Sequence, residues 1–173
     1  RKYANVANLA DARDAFVKGA EGIGLYRSEC MLFGRKSVPT EEEQFLFYKE
    51  LLETAENREV VIRVFDIGSD KKCPYLSMEE EDNPALGYRA IRICLKQPDI
   101  FKTQLRALFR ASVYGNISVM YPMITSVEEI DRIYEIVDEV KQELETQEIQ
   151  YKIPEQGIMI ETPAAVMISD ELA

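Results

Sequence analysis

Four β-type runs carry the residues of this chain that could do chemistry, and each stops where a ligand would sit. They read Gly22-Ile-Gly-Leu-Tyr-Arg27-Ser-Glu29, Val60-Val-Ile-Arg63-Val-Phe-Asp66, Ile117-Ser-Val-Met-Tyr-Pro122 and Gly157-Ile-Met-Ile-Glu161-Thr-Pro163. Three end in Arg, Asp or Glu, whereas the Tyr121-Pro122-Met123 end is apolar. In a parallel α/β protein the ligand binds outside the carboxyl ends of the strands, so charges at those ends converge on one place. A planar guanidinium such as that of Arg27 or Arg63 grips a phosphate or carboxylate by two parallel bonds, each contributing about 1.5–3 kcal/mol net. Glu161 can give one oxygen to Mg2+, which takes one or two protein acids plus water and substrate oxygens. The set suits a phosphorylated carboxylic acid beside a metal ion.

Each of these residues also has a plainer role. Arg27 and Arg63 can be solvated or ion-paired, and Glu161 can be the acid that a helix dipole favours in its first turn. Asp66 can pair locally with Arg63 or Lys71. Strict strand alternation sends Arg63 and Asp66 to opposite faces, so both reach one site only if the strand ends or bulges near Phe65. Gly68 gives the backbone that freedom. Arg89 is expected to open a helix and turn toward the same mouth. Arg92, Arg106 and Arg110 lie at helical spacing and read as surface charges, with Arg92 adding to the anion field. Cys30 follows the Arg27 strand end but has no imidazole to activate it.

The elements that must position these groups alternate strand and helix. A short run at Ala4–Ala7 precedes a helix from about Leu9 to Lys18, with Asn8 as its cap and Gly19 as its stop. Thr40-Glu-Glu-Glu43 carries a capping-box pattern, and Phe45, Tyr48, Leu51 and Leu52 make the apolar stripe of the helix behind it. A third strand, Glu59–Phe65, leads into a long polar connection through Glu79-Glu-Glu-Asp82; connections of that length are usually functional. Helices follow over about Tyr88–Lys96 and Ile100–Val113, then a strand at Ile117–Tyr121. Ser126-Val-Glu-Glu129 opens another helix, and a fifth strand spans Gly157–Ile160, with Pro163 in the first turn of the next helix.

Five βα units with right-handed crossovers fit both a doubly wound sheet and a (β/α)8 barrel. Five strands cannot close into a barrel, and the last helical pattern, with Val166, Met167, Ile168 and Leu172, still wants cover. The expected fold is α/β: a (β/α)8 TIM barrel truncated to about its first five βα units, with residues 1–173 as one partial domain.

Composition narrows the partners. The chain has 173 residues, 46% hydrophobic, and 21 basic against 31 acidic residues give a net charge of −10. That balance repels nucleic acid and anionic membranes. Cys30, Cys73 and Cys94 show no C-x-x-C pattern, which speaks against a zinc site or disulfide framework and for a reducing cytoplasm. No membrane span or signal-peptide pattern is expected. With no histidine in the chain, the usual general base and the commonest metal ligand are absent, leaving carboxylates, Arg, Lys and a metal to act.

Five ordered segments, Gly19-Ala-Glu-Gly-Ile-Gly-Leu-Tyr-Arg27-Ser-Glu29, Pro39-Thr-Glu-Glu-Glu-Gln-Phe45, Arg63-Val-Phe-Asp66-Ile-Gly-Ser-Asp-Lys71, Asn83-Pro-Ala-Leu-Gly-Tyr-Arg89 and Ile158-Met-Ile-Glu161-Thr-Pro-Ala-Ala165, closely resemble the Enzyme I family of the bacterial sugar phosphotransferase system. The resemblance implies a phosphoenolpyruvate-binding barrel with Mg2+, cytoplasmic and homodimeric as a full-length protein. Such a protein passes phosphate to a histidine on a separate domain and then to HPr, releasing pyruvate. It implies that Arg27, Arg63 and Asp66 belong to the phosphoenolpyruvate site, that Arg89 supports the phosphate and that Glu161 is a magnesium ligand. The family's Asn-Asp motif, a further arginine, its proton-donating cysteine and its phosphohistidine and HPr-binding domains are not in this sequence. No catalytic residue is therefore assigned within it, and the piece alone is expected to be inactive. Ser28, Cys30 and Ser69 depart from the family pattern. A pyruvate phosphate dikinase or phosphoenolpyruvate synthase barrel is the alternative enzyme, against which the Asp66–Lys71 segment argues. A bare dimerisation scaffold is the alternative from another class.

Overall fold

A computed structural model describes residues 1–69, 73, 75–76 and 82–173. The expectations placed on Asp70, Lys71 and Glu79–Glu81 lie outside those residues. Five strands, β1 (Tyr3–Val6), β2 (Gly22–Arg27), β3 (Val60–Arg63), β4 (Ile117–Tyr121) and β5 (Glu155–Ile158), form one parallel sheet. Its spatial order is β1-β2-β3-β4-β5, identical to the chain order. A doubly wound sheet reverses its strand order at a switch point. None occurs here, so same-handed crossovers put every connecting helix on one side, as in the wall of a (β/α)8 barrel.

That helical layer consists of α1 (Leu9–Val17), α2 (Glu41–Ala55), α3 (Ile91–Lys96), α4 (Pro98–Ala111), α5 (Val127–Thr146) and the short α6 (Pro163–Met167) and α7 (Ser169–Leu172). The start signals read from the sequence act as expected. Asn8 accepts from Asp11 N at 2.8 Å, and both Thr40 with Glu43 and Ser126 with Glu129 close capping boxes. Pro163 sits in the first turn of α6. Boundaries differ where tertiary contacts override pattern. β3 stops at Arg63 rather than Phe65, α3 begins at Ile91 rather than Tyr88, α4 spans Pro98–Ala111 rather than Ile100–Val113, and β5 begins at Glu155, where it pairs with Ser118.

The strands alternate. Val60, Ile62, Ile117, Val119 and Tyr121 are buried against the helices, while Val61, Arg63, Ser118 and Met120 on the opposite face are only partly buried. Tyr48, Leu51, Leu52, Phe101, Leu105, Phe109, Ile136 and Val140 fill the space between sheet and helices. Gly115, just before β4, lets that strand approach α2, since a Cβ there would stand 2.9 Å from Leu52 Cβ.

Two expected surface charges are instead structural. Arg106 is only 9% exposed and fastens three helices, donating to Glu41 at 2.7 Å, Glu143 at 3.2 Å and Gln147 at 2.7 Å. Arg110 pairs with Glu41 and Glu42 and stacks on Phe45. Helical spacing placed both on one helix but could not show that acids of α2 and α5 would reach them. Among the described residues no helix is long and apolar enough to cross a membrane.

Candidate anion-binding site

Glu29, Arg63, Asp66 and Arg89 meet in one cluster of charges, with Arg63 at its centre. Its Nη2 donates to Glu29 Oε1 at 2.7 Å, and its Nη1 lies 3.2 Å from Asp66 Oδ2. Nη1 also reaches Met159 Sδ at 3.9 Å, linking the end of β3 to the segment just past β5. The strand stops at Arg63, so Asp66 escapes alternation and turns back to the arginine three residues before it. Flanking Phe65 and Ile67 are buried in a small second core with Leu32, Cys73 and Leu76, which pins the segment and holds Asp66 toward the charges.

Arg89 completes the row. Its Nη2 and Nε donate to Asp66 Oδ1 at 2.9 and 3.1 Å, and its Nη1 to Pro84 O at 3.3 Å. Arg89 lies before α3 rather than opening it. It is held there by the next residue, whose N–H bonds Ile67 O at 2.8 Å while Ala90 sits at φ +51°. An alanine in that region is strained, and strain of this kind gathers at sites where the surroundings over-determine the backbone. Arg92, expected to strengthen the anion field, is turned onto the carbonyls of Leu86 and Gly87.

Arg27 reaches the same rim by a different device. β2 pairs Ile23 with Val60 but Tyr26 with Ile62, so three residues of β2 span two of β3. This bulge flips the phase of the strand. Tyr26 turns into the helical layer, and Arg27 falls into register with Arg63. The Arg27 side chain is exposed and has no hydrogen bond or ion pair among the described residues.

Glu161 lies three residues past β5, exposed, with its Oε1 accepting from Met123 N at 2.8 Å. Met123 takes φ +60° to present that amide. The apolar end of β4 thus contributes backbone, and it ties down the carboxylate of its neighbour. No group of three or more His, Cys, Asp or Glu among the described residues could hold a metal ion. One exposed carboxylate oxygen remains on Glu161 beyond the Met123 bond, a hard donor of the type that Mg2+ accepts alongside substrate oxygens and water.

Two atoms of the Arg63 cluster are buried without a hydrogen-bond partner, Arg63 Nε and Glu29 Oε2. Unmet buried donors and acceptors cost about 1–3 kcal/mol each. They lie in the same ion pair, which is therefore held by one oxygen and one nitrogen rather than by the full fork. Nη1 and Nη2 of Arg63 face Asp66 and Glu29 and its Nε is buried, so an incoming oxyanion would meet Arg63 by taking the place of one of these carboxylates.

Sequence reasoning missed the role of Glu29. It appeared only as the end of the Gly22–Glu29 run, and its side chain reaches Arg63 because the chain enters a 3₁₀ turn over Ser28–Leu32. A buried polar residue of α4, Gln104, was hidden by an otherwise apolar pattern. Met123 carried no side-chain signal at all.

The sequence matches the family described as PEP-utilising enzyme, PEP-binding domain, over residues 2–173. It is similar to the phosphoenolpyruvate-protein phosphotransferase of Priestia megaterium, 47% identical over 171 residues, which cover 98% of this chain and 30% of that protein. The protein of the same name from Geobacillus stearothermophilus is 48% identical over 171 residues, with the same coverage. That of Staphylococcus aureus strain MRSA252 is 48% identical over 172 residues, again 98% of this chain and 30% of the relative.

Proposed function

This chain belongs to the PEP-utilising enzymes, in their PEP-binding domain, and from that premise we propose that its strand ends bind phosphoenolpyruvate within a phosphoenolpyruvate-protein phosphotransferase. The observation that carries the reading is the register of Arg27 with Arg63 above a row of alternating charges, Glu29, Arg63, Asp66 and Arg89. Arg27 and Arg63 grip the phosphate and carboxylate oxygens, Arg63 by exchanging one of its carboxylate partners for the ligand, and Asp66 orients Arg63 and Arg89 toward them. Such preorganised cations neutralise the charge that spreads over the phosphoryl oxygens as the group departs from the enolate of pyruvate. Glu161 is the residue that would hold Mg2+, which when bound supplies further positive charge to those oxygens.

The acceptor is a histidine from elsewhere in the whole protein, since this chain contains none, and HPr is the next carrier, serving sugar uptake. On the same reading the chain is one partial domain, the amino-proximal five βα units of the barrel, and the whole protein is a cytoplasmic homodimer. The chain by itself binds but does not transfer.

Calorimetric titration of phosphoenolpyruvate with MgCl2 into the chain tests this. Saturable binding that Arg27→Met weakens about tenfold or more is expected, the loss of one charge-assisted fork. A folded chain that takes up no phosphoenolpyruvate, or binding indifferent to Arg27, would overturn it.

A further inference from the structure

We propose that Gln104 is a positioning residue of the anion site, the buried amide that locks together the strand ends bearing Arg27 and Arg63; the inference rests on the reading of those arginines given above. β3 leaves the sheet at Val64, whose N–H still bonds Met120 O at 3.0 Å. The next amide has no strand to meet. Phe65 N–H instead donates to Gln104 Oε1 at 3.0 Å.

The other end of the same amide reaches the residue just past β2. Gln104 Nε2 donates to Ser28 Oγ and to Tyr48 OH, both at 3.0 Å. Ser28, the residue after Arg27, donates its own hydroxyl proton to Arg63 O at 2.6 Å. Gln104, Ser28 and Tyr48 are each fully buried. Burial also holds the Tyr48 phenol well above its ordinary pKa, so it stays a neutral partner.

The site asks for one acceptor and two donors at fixed places, which a primary amide meets and neither a carboxylate nor an apolar side chain does. Gln104 stands on the face of α4 that buries Phe101, Leu105 and Leu108. An amide among such neighbours is costly unless fully bonded. Its side-chain bonds run to the segments just past β2 and β3 and to α2, and none to its own helix. They converge on the backbone that carries the two arginines, where small displacements are most costly to a two-point grip.

A double-mutant cycle separates positioning from general stabilisation, because residues that act through one another are non-additive. Phosphoenolpyruvate with MgCl2 is titrated into the chain, Gln104→Met, Arg63→Lys and the pair, each verified as folded by circular dichroism. Gln104→Met is expected to weaken binding about tenfold, and Arg63→Lys to cost about tenfold in the parent but under about threefold in the Gln104→Met background. Equal losses in the two backgrounds, or parental affinity in Gln104→Met, would overturn the assignment while leaving the proposed function standing. No binding by the folded parent would overturn both. If Gln104→Met does not fold, Gln104→Glu, which keeps an acceptor for Phe65 N–H, runs the same cycle. Failure of both to fold makes Gln104 a purely structural residue and rejects the proposal.

Discussion

Arg27 and Arg63 share one register on adjacent strands, yet Arg63 is held between two carboxylates while Arg27 stands in solvent with no partner among the described residues. Two like charges side by side repel, and Glu29 and Asp66 offset that repulsion on the buried member only. The arrangement divides labour, with one arginine fixed in place and the other left to meet an anion.

The division predicts opposite effects on stability. Arg63→Met strands the Glu29 carboxylate, about nine-tenths buried, and leaves Asp66 only Arg89 among the described residues, and losing one partner of such a buried pair costs about 3–5 kcal/mol. Arg27→Met is expected to change stability by less than about 0.5 kcal/mol. Urea unfolding of the two variants checks this, and equal effects would contradict the structure.

The helical layer is fastened by charge as well as by apolar packing. Arg106→Met removes bonds to Glu41, Glu143 and Gln147 at once, and a loss of about 1–3 kcal/mol is expected. Lys102 and Arg106 hold the Glu143 carboxyl below its ordinary pKa, with the Lys102 hydrogen bond the largest cause. A lowered carboxylate pKa contributes stability above the unfolded value that is lost as pH falls through the folded one. Acid titration of Glu143→Gln should therefore show a shallower loss of stability than the parent as pH falls from the ordinary carboxylate value through the lowered one.

At the alkaline end the sign reverses. Burial pushes the Cys94 thiol from 9.0 up to about 12, so the native chain keeps a proton that the unfolded chain gives up. Its contribution is full below about pH 9 and is lost as pH rises toward about 12. Thermal melts between those limits should fall less steeply for Cys94→Ala than for the parent, and a thiol reagent at pH 8 should leave Cys94 unmodified until the protein unfolds.

Gly115→Ala tests the close approach of β4 to α2. The backbone there is extended and accepts any residue, so the effect is steric alone. The new methyl would press on Leu52, and overpacking of this kind costs about 1–3 kcal/mol. Pairing it with Leu52→Ala should recover part of the loss in the same denaturation assay.

How much of this was legible in the sequence depends on what each residue answers to. Asn8, Thr40, Ser126 and Pro163 obey local rules, and their elements start where the sequence says. Arg63 and Asp66 were readable as a conditional pair, because a three-residue spacing meets only where a strand ends. The bulge that turns Arg27 toward Arg63 left no mark in Gly22–Arg27, since it arises from pairing with β3. Gln104 was invisible for a related reason. Its partners lie 39, 56 and 76 residues away, and no local pattern encodes them.

The unbroken strand order has a consequence for how such a chain can change. Because the crossovers keep to one flank, Val61, Ser118 and Met120 stand on the sheet face opposite the helices, while Ile62 and Val119 are buried on the helical side. Substitutions on the first set can change the surface of that face without disturbing the packing behind it, so surface chemistry and structural integrity are inherited through separate, interleaved letters of the same strands.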